Sequence, residues 1–236
     1  MTPRVLIAIP AHNEAETIVE VVTSVGTHGH PILVVDDGSR DATGDLARES
    51  GATVITLGAN LGVGAARRCA HRYALENGFD IVVECDADGQ HPANAIPQLI
   101  EELMRSDADL MIGSRFKDGN QSSTPIIRRL AMGLLSKTAT RATGTRITDS
   151  TSGFRAVRRP LVDHFAELLP DHFLGDTFEI VVATGRAGYR VGECSVRMSD
   201  RTHGQATATA LQSAGLTVRA LINAIVFRKP LLPPRI

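Results

Sequence analysis

Two aspartates, Asp86 and Asp88, are separated by a single residue and follow the end of a strand predicted from the apolar run at 81–83. Two carboxylates at this spacing can approach one divalent cation, and hard oxygen ligands favour Mg²⁺ or Mn²⁺. In an open α/β sheet, ligands bind outside the carboxyl ends of the strands. The pair therefore predicts a site for a diphosphate and its metal ion. Taken alone, the same residues also fit a polar turn after a core strand.

Three further strand ends carry residues that could bind a phosphorylated ligand. Asp36 and Asp37 follow an apolar run at 32–35 and could accept hydrogen bonds from a base or ribose, or simply form an Asp-Gly turn. A Gly-x-Gly pattern at 62–64 could let the backbone approach a ligand, although this pattern alone is weak evidence. Arg115, after a run at 110–112, could neutralise a pyrophosphate or be an ordinary surface arginine.

The segments that must position these residues alternate between strand and helix. Strands are predicted at 5–9, 32–35, 53–55, 81–85 and 110–112, with helices at 15–25, 42–50, 64–77 and 95–104. Continuous apolar strands that alternate with helices indicate a mostly parallel sheet covered on both faces. Beyond residue 113 the alternation breaks down. That part is predicted to contain a polar loop at 119–124, helices at 126–141, 159–169, 177–187 and 207–227, a turn-rich segment at 149–155 and a strand at 191–196.

Length and charge limit the class of protein. The 236 residues, 43% of them hydrophobic, predict a single α/β domain over 1–236. The net charge of −1 and the absence of Trp argue against nucleic-acid binding. Residues 119–148 and 201–236 contain no acidic residue and five basic ones each, which favours anionic partners such as phosphates or an acidic membrane surface, or else solvated charged faces. The three scattered cysteines, the absence of a signal peptide and the lack of a run of about 20 apolar residues predict a cytoplasmic protein.

Six motifs occur in an order that resembles the family 2 glycosyltransferases of the GT-A fold, nearest to the dolichyl-phosphate mannose synthase and polyprenyl-phosphate glycosyltransferase branch. The resemblance covers roughly residues 4–205. The motifs are PAHNE at 10–14, VDDGSRDAT at 35–43, NLGVG at 60–64, DADGQHP at 86–92, GSRF at 113–116 and DSTSGFRA at 149–156. The resemblance implies a nucleotide-sugar-binding half at 1–115, an acceptor half at 116–205, and an amphipathic helix with a tail at 206–236.

Site residues are implied by the same resemblance. Asp86 and Asp88 would bind Mg²⁺ or Mn²⁺, Asp37 would hold the base or ribose, and Asp149 would face the acceptor. Asp149, Asp88 and Arg115 are the candidate catalytic residues. Donor binding would involve Pro10, Ala11, Asn13, Glu14, Asp37, Gly62, Gly64, Asp86, Ala87, Asp88, Gln90, Arg115, Arg128, Arg129 and Arg201, and Glu179 matches a recurring acid on a later helix.

The implied reaction is inverting transfer of a sugar, mannose by default, from a GDP- or UDP-linked donor to a polyprenyl phosphate. The family pattern usually continues after Gly204 with a basic Lys-Ser-Lys, whereas this chain has Gln-Ala-Thr at 205–207, and the segment 171–176 matches no family constant. A soluble hydroxyl acceptor therefore stays open as an alternative, as does a binding module without turnover. The helix at 207–227 could pack on the core, on a second copy in a homo-oligomer, or on the cytoplasmic face of a membrane.

Overall fold

The computed structural model describes residues 2–116, 126–169, 176–197 and 232–235, and for 126–131 and 176 it describes the backbone alone. The expected loop at 119–124 and the expected helix at 207–227 lie outside the described residues. The strands are β1 (Val5–Ala11), β2 (Ile32–Asp36), β3 (Thr53–Thr56), β4 (Ile81–Glu84), β5 (Leu110–Ser114), β6 (Arg155–Arg158) and β7 (Val191–Ser195). The helices are α1 (Ile18–Gly26), α2 (Thr43–Glu49), α3 (Val63–Glu76), α4 (Ile96–Arg105), α5 (Ile126–Thr143), α6 (Leu161–Leu168) and α7 (Asp176–Arg186), with a 3-10 turn at Ala93–Ala95 before α4.

These strands form one sheet in the order β3-β2-β1-β4-β6-β5-β7. Every neighbouring pair is parallel except those made by β6, which runs antiparallel to both β4 and β5. The strands β6 and β7 come from the second half of the chain, so both halves build the same sheet. Because β1, β2, β4 and β5 all point the same way, their carboxyl ends and the loops that follow meet at one edge.

Apolar layers cover both faces of the sheet, as its continuous apolar strands predict. On one face, Leu6, Leu33 and Val82 pack with side chains from α3, α5, α6 and α7. On the other face, Ile7 and Val83 pack with side chains from α1 and α4. The alternation of successive strand residues between two buried layers explains why β1, β2 and β4 are apolar up to their last residues. The predicted mostly parallel α/β sheet with helices on both faces is confirmed.

The antiparallel strand β6 was not predicted, because the sequence was interpreted as a turn-rich segment up to residue 155 followed by a helix from 159. The strand has only two apolar residues, Ala156 and Val157, between Arg155 and Arg158. Arg155 is nevertheless fully buried, since its charge is neutralised by Glu84 on the neighbouring β4. A prediction from the pattern of apolar and polar residues treats such an arginine as exposed, and for this reason it does not find the strand.

None of the described helices combines the length and the apolar composition needed to cross a membrane. Cys69, Cys85 and Cys194 form no disulfide; Cys85 and Cys194 are buried and Cys69 is half-buried.

Candidate active site

The residues predicted to bind the donor lie where β1 and β2 end. Pro10 and Ala11 are the last residues of β1, and the Asp37 N–H donates to the Ala11 carbonyl over 2.8 Å. Asn13 has a φ of 55°, in the left-handed region that Asn tolerates better than most residues. Its Oδ1 accepts a hydrogen bond from the Arg40 N–H at 2.8 Å, which ties the loop after β1 to the loop after β2.

The carboxylate of Asp37 anchors the glycine loop at 60–62. Its Oδ1 accepts from the Leu61 N–H and its Oδ2 from the Gly62 N–H, both at 2.8 Å, and the residue is buried. We expected Asp37 to hold the base or ribose. In the structure both of its oxygens are engaged by the loop, so its observed contacts position the pocket wall, and the contact with a base stays a prediction.

Two glycines are required by this loop packing. A Cβ on Gly38 would lie 2.6 Å from the Ala59 carbonyl carbon, and Gly38 has a φ of +67°. Gly62 has a φ of 92° and stands immediately before α3, so a side chain there would strain the backbone. Gly64 is buried in the first turn of α3, and the predicted role of Gly62 and Gly64 at the floor of a nucleotide pocket remains untested.

Glu14, another predicted pocket residue, begins the turn into α1. Its carboxylate accepts a hydrogen bond from the Thr17 hydroxyl at 3.2 Å, and its backbone N–H donates to Thr43 Oγ1 at 2.8 Å. These contacts join the loop after β1 to the start of α2.

The acidic pair follows β4, as predicted. The side chain of Asp86 is 39% exposed, Ala87 is buried between the two aspartates, and Asp88 Oδ1 accepts from the Gln90 N–H at 3.1 Å. The pair thus offers hard oxygen ligands at an open edge. No group of three or more His, Cys, Asp or Glu side chains within the described ranges is arranged to hold a metal. Two carboxylates completed by phosphate oxygens are the usual donor set for Mg²⁺, so the residues present fit this ion.

His91 holds Asp86 from two sides and was not predicted as a site residue. The Asp86 N–H donates to His91 Nδ1 over 2.8 Å, so Nδ1 carries no proton. In the neutral ring the proton therefore sits on Nε2, which lies 3.4 Å from Asp86 Oδ2. Burial lowers the pKa of His91, and this outweighs the opposing effect of Asp86 and Asp88, which favours the neutral ring at neutral pH.

A buried charge cluster lies beneath the acidic pair. Glu84, the last residue of β4, is 2% exposed and receives two hydrogen bonds from Arg155, one from His71 Nε2 at 2.9 Å, and an ion pair with Arg67 Nε at 3.2 Å. Burial by itself would raise the pKa of Glu84, but Arg155, Arg67 and His71 together lower it further than burial raises it. Sequence reasoning missed this cluster, although a Glu that directly extends an apolar strand was a usable signal.

Arg115 and Asp149 bind each other instead of standing free. Arg115 Nε lies 2.8 Å from Asp149 Oδ2 and Arg115 Nη2 lies 3.0 Å from Oδ1, a bidentate pair. The Asp149 side chain has no exposed surface, whereas that of Arg115 is 37% exposed. Hydrogen bonding to Asp149 raises the pKa of Arg115 against the opposing effect of partial burial. In this conformation the Asp149 carboxylate faces Arg115, and contact between Asp149 and an acceptor stays a prediction.

Glu193 on β7, which sequence reasoning also missed, fixes the backbone that carries Asp149. Its carboxylate accepts from the Thr148 N–H, the Asp149 N–H and the Thr148 hydroxyl at 2.7 to 3.0 Å. Thr148 in turn shares a hydrogen bond with Ser114 at the end of β5, with 2.9 Å between the hydroxyls. The Arg115–Asp149 pair is thus held from two strands.

The side chains of three predicted donor-binding residues lie outside the part of the chain that the structure describes. Arg128 and Arg129 lie in the first turn of α5, where only the backbone is described, and Arg201 lies outside the described residues. Glu179 is on α7 and half-buried.

The absence of a side chain at Gly153 leaves room for the Asp86 carboxylate, so adding a methyl group at position 153 should displace that carboxylate. A Cβ on Gly153 would lie 2.6 Å from Asp86 Oδ2, so Gly153→Ala must rotate that carboxylate. We expect the melting-temperature shift given by Mn²⁺ plus nucleotide to be lost, with overpacking costing about 1–3 kcal/mol of stability. Gly133→Ala on α5, where a Cβ would meet nothing within 4 Å, is the control and should keep the shift. A full shift in Gly153→Ala would show that the position of Asp86 does not matter.

Comparisons with known proteins identify the family of this chain. The model of glycosyl transferase family 2 matches residues 6–165. An undecaprenyl-phosphate mannosyltransferase from Micrococcus luteus is 30% identical over 93% of this chain and 92% of its own length. A polyprenol monophosphomannose synthase from Mycolicibacterium smegmatis is 35% identical over 86% of this chain and 80% of its own.

Among solved structures, glucosyl-3-phosphoglycerate synthase from Mycobacterium tuberculosis, in complex with Mn²⁺, UDP and glucosyl-3-phosphoglycerate, superposes with a TM-score of 0.67. The match has 21% identity and covers 98% of this chain and 81% of that one, which supports the GT-A-like fold. With the family model spanning most of the sheet and relatives aligned over nearly the whole chain, this protein belongs to glycosyl transferase family 2 and is a glycosyltransferase.

Proposed function

We propose that this enzyme transfers a sugar, mannose by default, from a nucleotide-diphosphate donor to a polyprenyl phosphate, with inversion at the sugar carbon. The relatives that align over nearly the whole chain carry names of this activity, and the alignment includes the acceptor half. A relative from Methanococcus voltae, 27% identical over 82% of this chain, is named for transfer of N-acetylglucosamine from UDP to dolichyl phosphate, so the named relatives differ in the sugar that they transfer.

The observation that supports a lipid-phosphate acceptor is that both carboxylate oxygens of Asp149 are already bound by Arg115. A neutral hydroxyl acceptor needs a carboxylate base within hydrogen-bond reach. Asp149 is the base that the sequence offered, and it is fully buried and bound by Arg115 through both oxygens. A phosphate acceptor is already ionised near neutral pH and needs no strong base. The geometry therefore favours the phosphate.

The roles of the other residues follow from their positions. Asp86 and Asp88 would hold Mg²⁺ or Mn²⁺, which supplies positive charge to the leaving diphosphate. Arg115 keeps its exposed part at the same edge, where it would contact the diphosphate, and its partner Asp149 orients the guanidinium. Asp37 and Asn13 fix the loops around the nucleotide, and the acceptor oxygen attacks the sugar carbon from the side opposite the diphosphate.

A soluble hydroxyl acceptor is the second candidate, and the specific observation in its favour is the Gln-Ala-Thr sequence at 205–207 in place of a basic segment. The same donor site would serve both acceptors. The two differ in whether a carboxylate must take a proton.

Asp149→Asn separates these candidates. With a polyprenyl phosphate acceptor we expect a loss of less than about tenfold in rate, because asparagine can still accept one hydrogen bond from Arg115 and no base is needed. With a hydroxyl acceptor, removal of a general base should cost about 10²–10⁴-fold. The measurement is the initial rate of transfer to undecaprenyl phosphate and, separately, to the matching alcohol undecaprenol.

The control for this variant is its melting temperature, which reports the loss of the buried ion pair independently of the rate. Transfer to undecaprenol but not to its phosphate would overturn the proposed acceptor. The donor is identified first, by following the melting temperature with GDP, UDP and dTDP and their sugars in the presence of Mn²⁺. A shift that disappears on adding a chelator names the base.

A lipid acceptor also implies where the enzyme works. We propose peripheral contact with the cytoplasmic face of a membrane, supported by the acid-free basic stretches at 119–148 and 201–236. Pairing of two copies through the C-terminal segment remains a prediction that size-exclusion chromatography with light scattering would test.

A further inference from the structure

Both carboxylate oxygens of Asp86 are already matched with donor groups of the protein. Arg67 Nη2 lies 3.6 Å from Asp86 Oδ1, and His91 Nε2 lies 3.4 Å from Oδ2. Because His91 Nδ1 accepts the Asp86 N–H, the ring can carry a proton on Nε2 alone and is neutral in this arrangement, so Arg67 supplies the formal positive charge. A divalent cation that binds Asp86 must therefore share the carboxylate with a guanidinium.

Arg67 is held in place by the buried cluster below. It projects from α3, is 3% exposed, and pairs through Nε with Glu84 Oε2 at 3.2 Å while its Nη2 reaches Asp86. Glu84 is also neutralised by Arg155. Leaving His71 aside, the two guanidiniums and one carboxylate of this cluster carry one positive charge in excess, and Asp86 is the anion that balances it.

We infer that Arg67 is the resident counter-ion of Asp86, so that the site binds a divalent cation weakly by itself and takes it up together with the donor diphosphate. The charge on Arg67 repels a metal ion at Asp86 and attracts the phosphates that accompany it. Asp86 and Asp88 alone would present a charge of −2, and Arg67 reduces this to −1. Arg67 is a positioning residue in this role, and the inference rests on the proposed diphosphate donor.

Two opposing effects decide whether replacing Arg67 makes Mn²⁺ binding tighter or weaker. Loss of Arg67 removes a repelling charge from beside the metal, and it also releases one restraint on the Asp86 carboxylate. Charges a few ångströms apart interact strongly at the dielectric of a half-buried site, whereas His91 still holds Asp86 through its Nδ1 and Nε2 contacts after Arg67 is gone. The electrostatic effect should therefore win, and because Asp86 is partly exposed to screening solvent we expect about a tenfold change.

The experiment titrates Mn²⁺ into the nucleotide-free protein at a fixed pH and follows free Mn²⁺ by electron paramagnetic resonance. Arg67→Met should bind Mn²⁺ about tenfold more tightly than the wild type. Arg67→Lys keeps the charge and should stay near the wild-type affinity. Nucleotide phosphates would neutralise Arg67 in the wild type, so the tightening of Mn²⁺ binding caused by saturating nucleotide should be about tenfold smaller in Arg67→Met. Because coupling between two ligands is reciprocal, Mn²⁺ should also tighten nucleotide binding about tenfold less in that variant.

Arg155→Met is the matched control, since Arg155 is equally buried and binds the same Glu84, while among the described residues Asp86 forms its ion pairs with Arg67 and His91. Its Mn²⁺ affinity should change by twofold or less. Arg67→Met leaves Glu84 paired with Arg155 and should therefore fold. If Arg67→Met does not fold, Arg67→Gln takes its place in the titration, because glutamine keeps a hydrogen-bond donor for Glu84.

Two results would overturn the inference: a folded Arg67→Met whose Mn²⁺ affinity is unchanged or weaker, or an equal gain in Arg155→Met. Failure of the proposed function is distinguishable. It would appear as the absence of nucleotide binding with any metal, and the nucleotide-free titration would still decide the role of Arg67.

Discussion

Replacing Asp88 with asparagine is expected to lower the rate of sugar transfer by roughly a thousandfold. Asparagine keeps the size of the side chain and an oxygen that can accept from the Gln90 N–H, so the turn should survive. It removes one of two negative charges that hold the metal ion, and a metal at a departing diphosphate contributes several kcal/mol to the barrier. Initial rates at saturating donor and Mn²⁺, with and without a chelator, measure the effect.

Asp86 is not chosen for this test, because its carboxylate also engages His91 and Arg67 and lies against Gly153. Asp107→Asn serves as the control. Asp107 is exposed, pairs with Arg190 and lies before β5, at the end of the sheet away from the acidic pair. It should retain full activity. An Asp88→Asn enzyme that is folded and as fast as the wild type would remove the acidic pair from the metal site.

The first half of the fold could be predicted because its strands are buried on both faces and are therefore apolar throughout. The same reasoning placed Asp86 and Asp88 at the edge where ligands bind, since the carboxyl ends of parallel strands meet there. What failed was β6. Its burial depends on Arg155 meeting Glu84, a partner 71 residues away in sequence, and no local pattern contains that information.

The candidate site could be predicted as a set of residues but not as a set of contacts. Asp37 and Asp149 were expected to meet ligands, yet each carboxylate is engaged by the protein itself, Asp37 by backbone N–H groups and Asp149 by Arg115. The sequence shows that a carboxylate is present, whereas its availability depends on which donors the fold brings to it. Glu193 and Arg67 were missed for the same reason, since their importance arises from partners on other elements.

The buried charge of Glu84 predicts the largest expected loss of stability. Glu84→Gln leaves Arg155 and Arg67 in the core without their carboxylate, and breaking a buried ion pair by removing one partner costs about 3–5 kcal/mol. For a chain of this size that corresponds to a fall of roughly 10 °C in melting temperature. Glu76→Gln, which breaks an exposed pair with Arg72, is the control and should change stability by less than about 0.5 kcal/mol.

The pH dependence of stability distinguishes this explanation from a loss of packing alone. The folded pKa of Glu84 is depressed below its ordinary value of 4.5, because Arg155, Arg67 and His71 together outweigh the effect of burial. A depressed carboxylate contributes its full stability above the unfolded pKa and loses it as the pH falls below that value. Thermal melts between pH 3 and 7 should therefore show the wild type losing its advantage over Glu84→Gln below about pH 4.5. A gap that stays constant across this range would mean that the carboxylate charge is not what stabilises the cluster, and the electrostatic role assigned to Arg67 beneath the acidic pair would weaken with it.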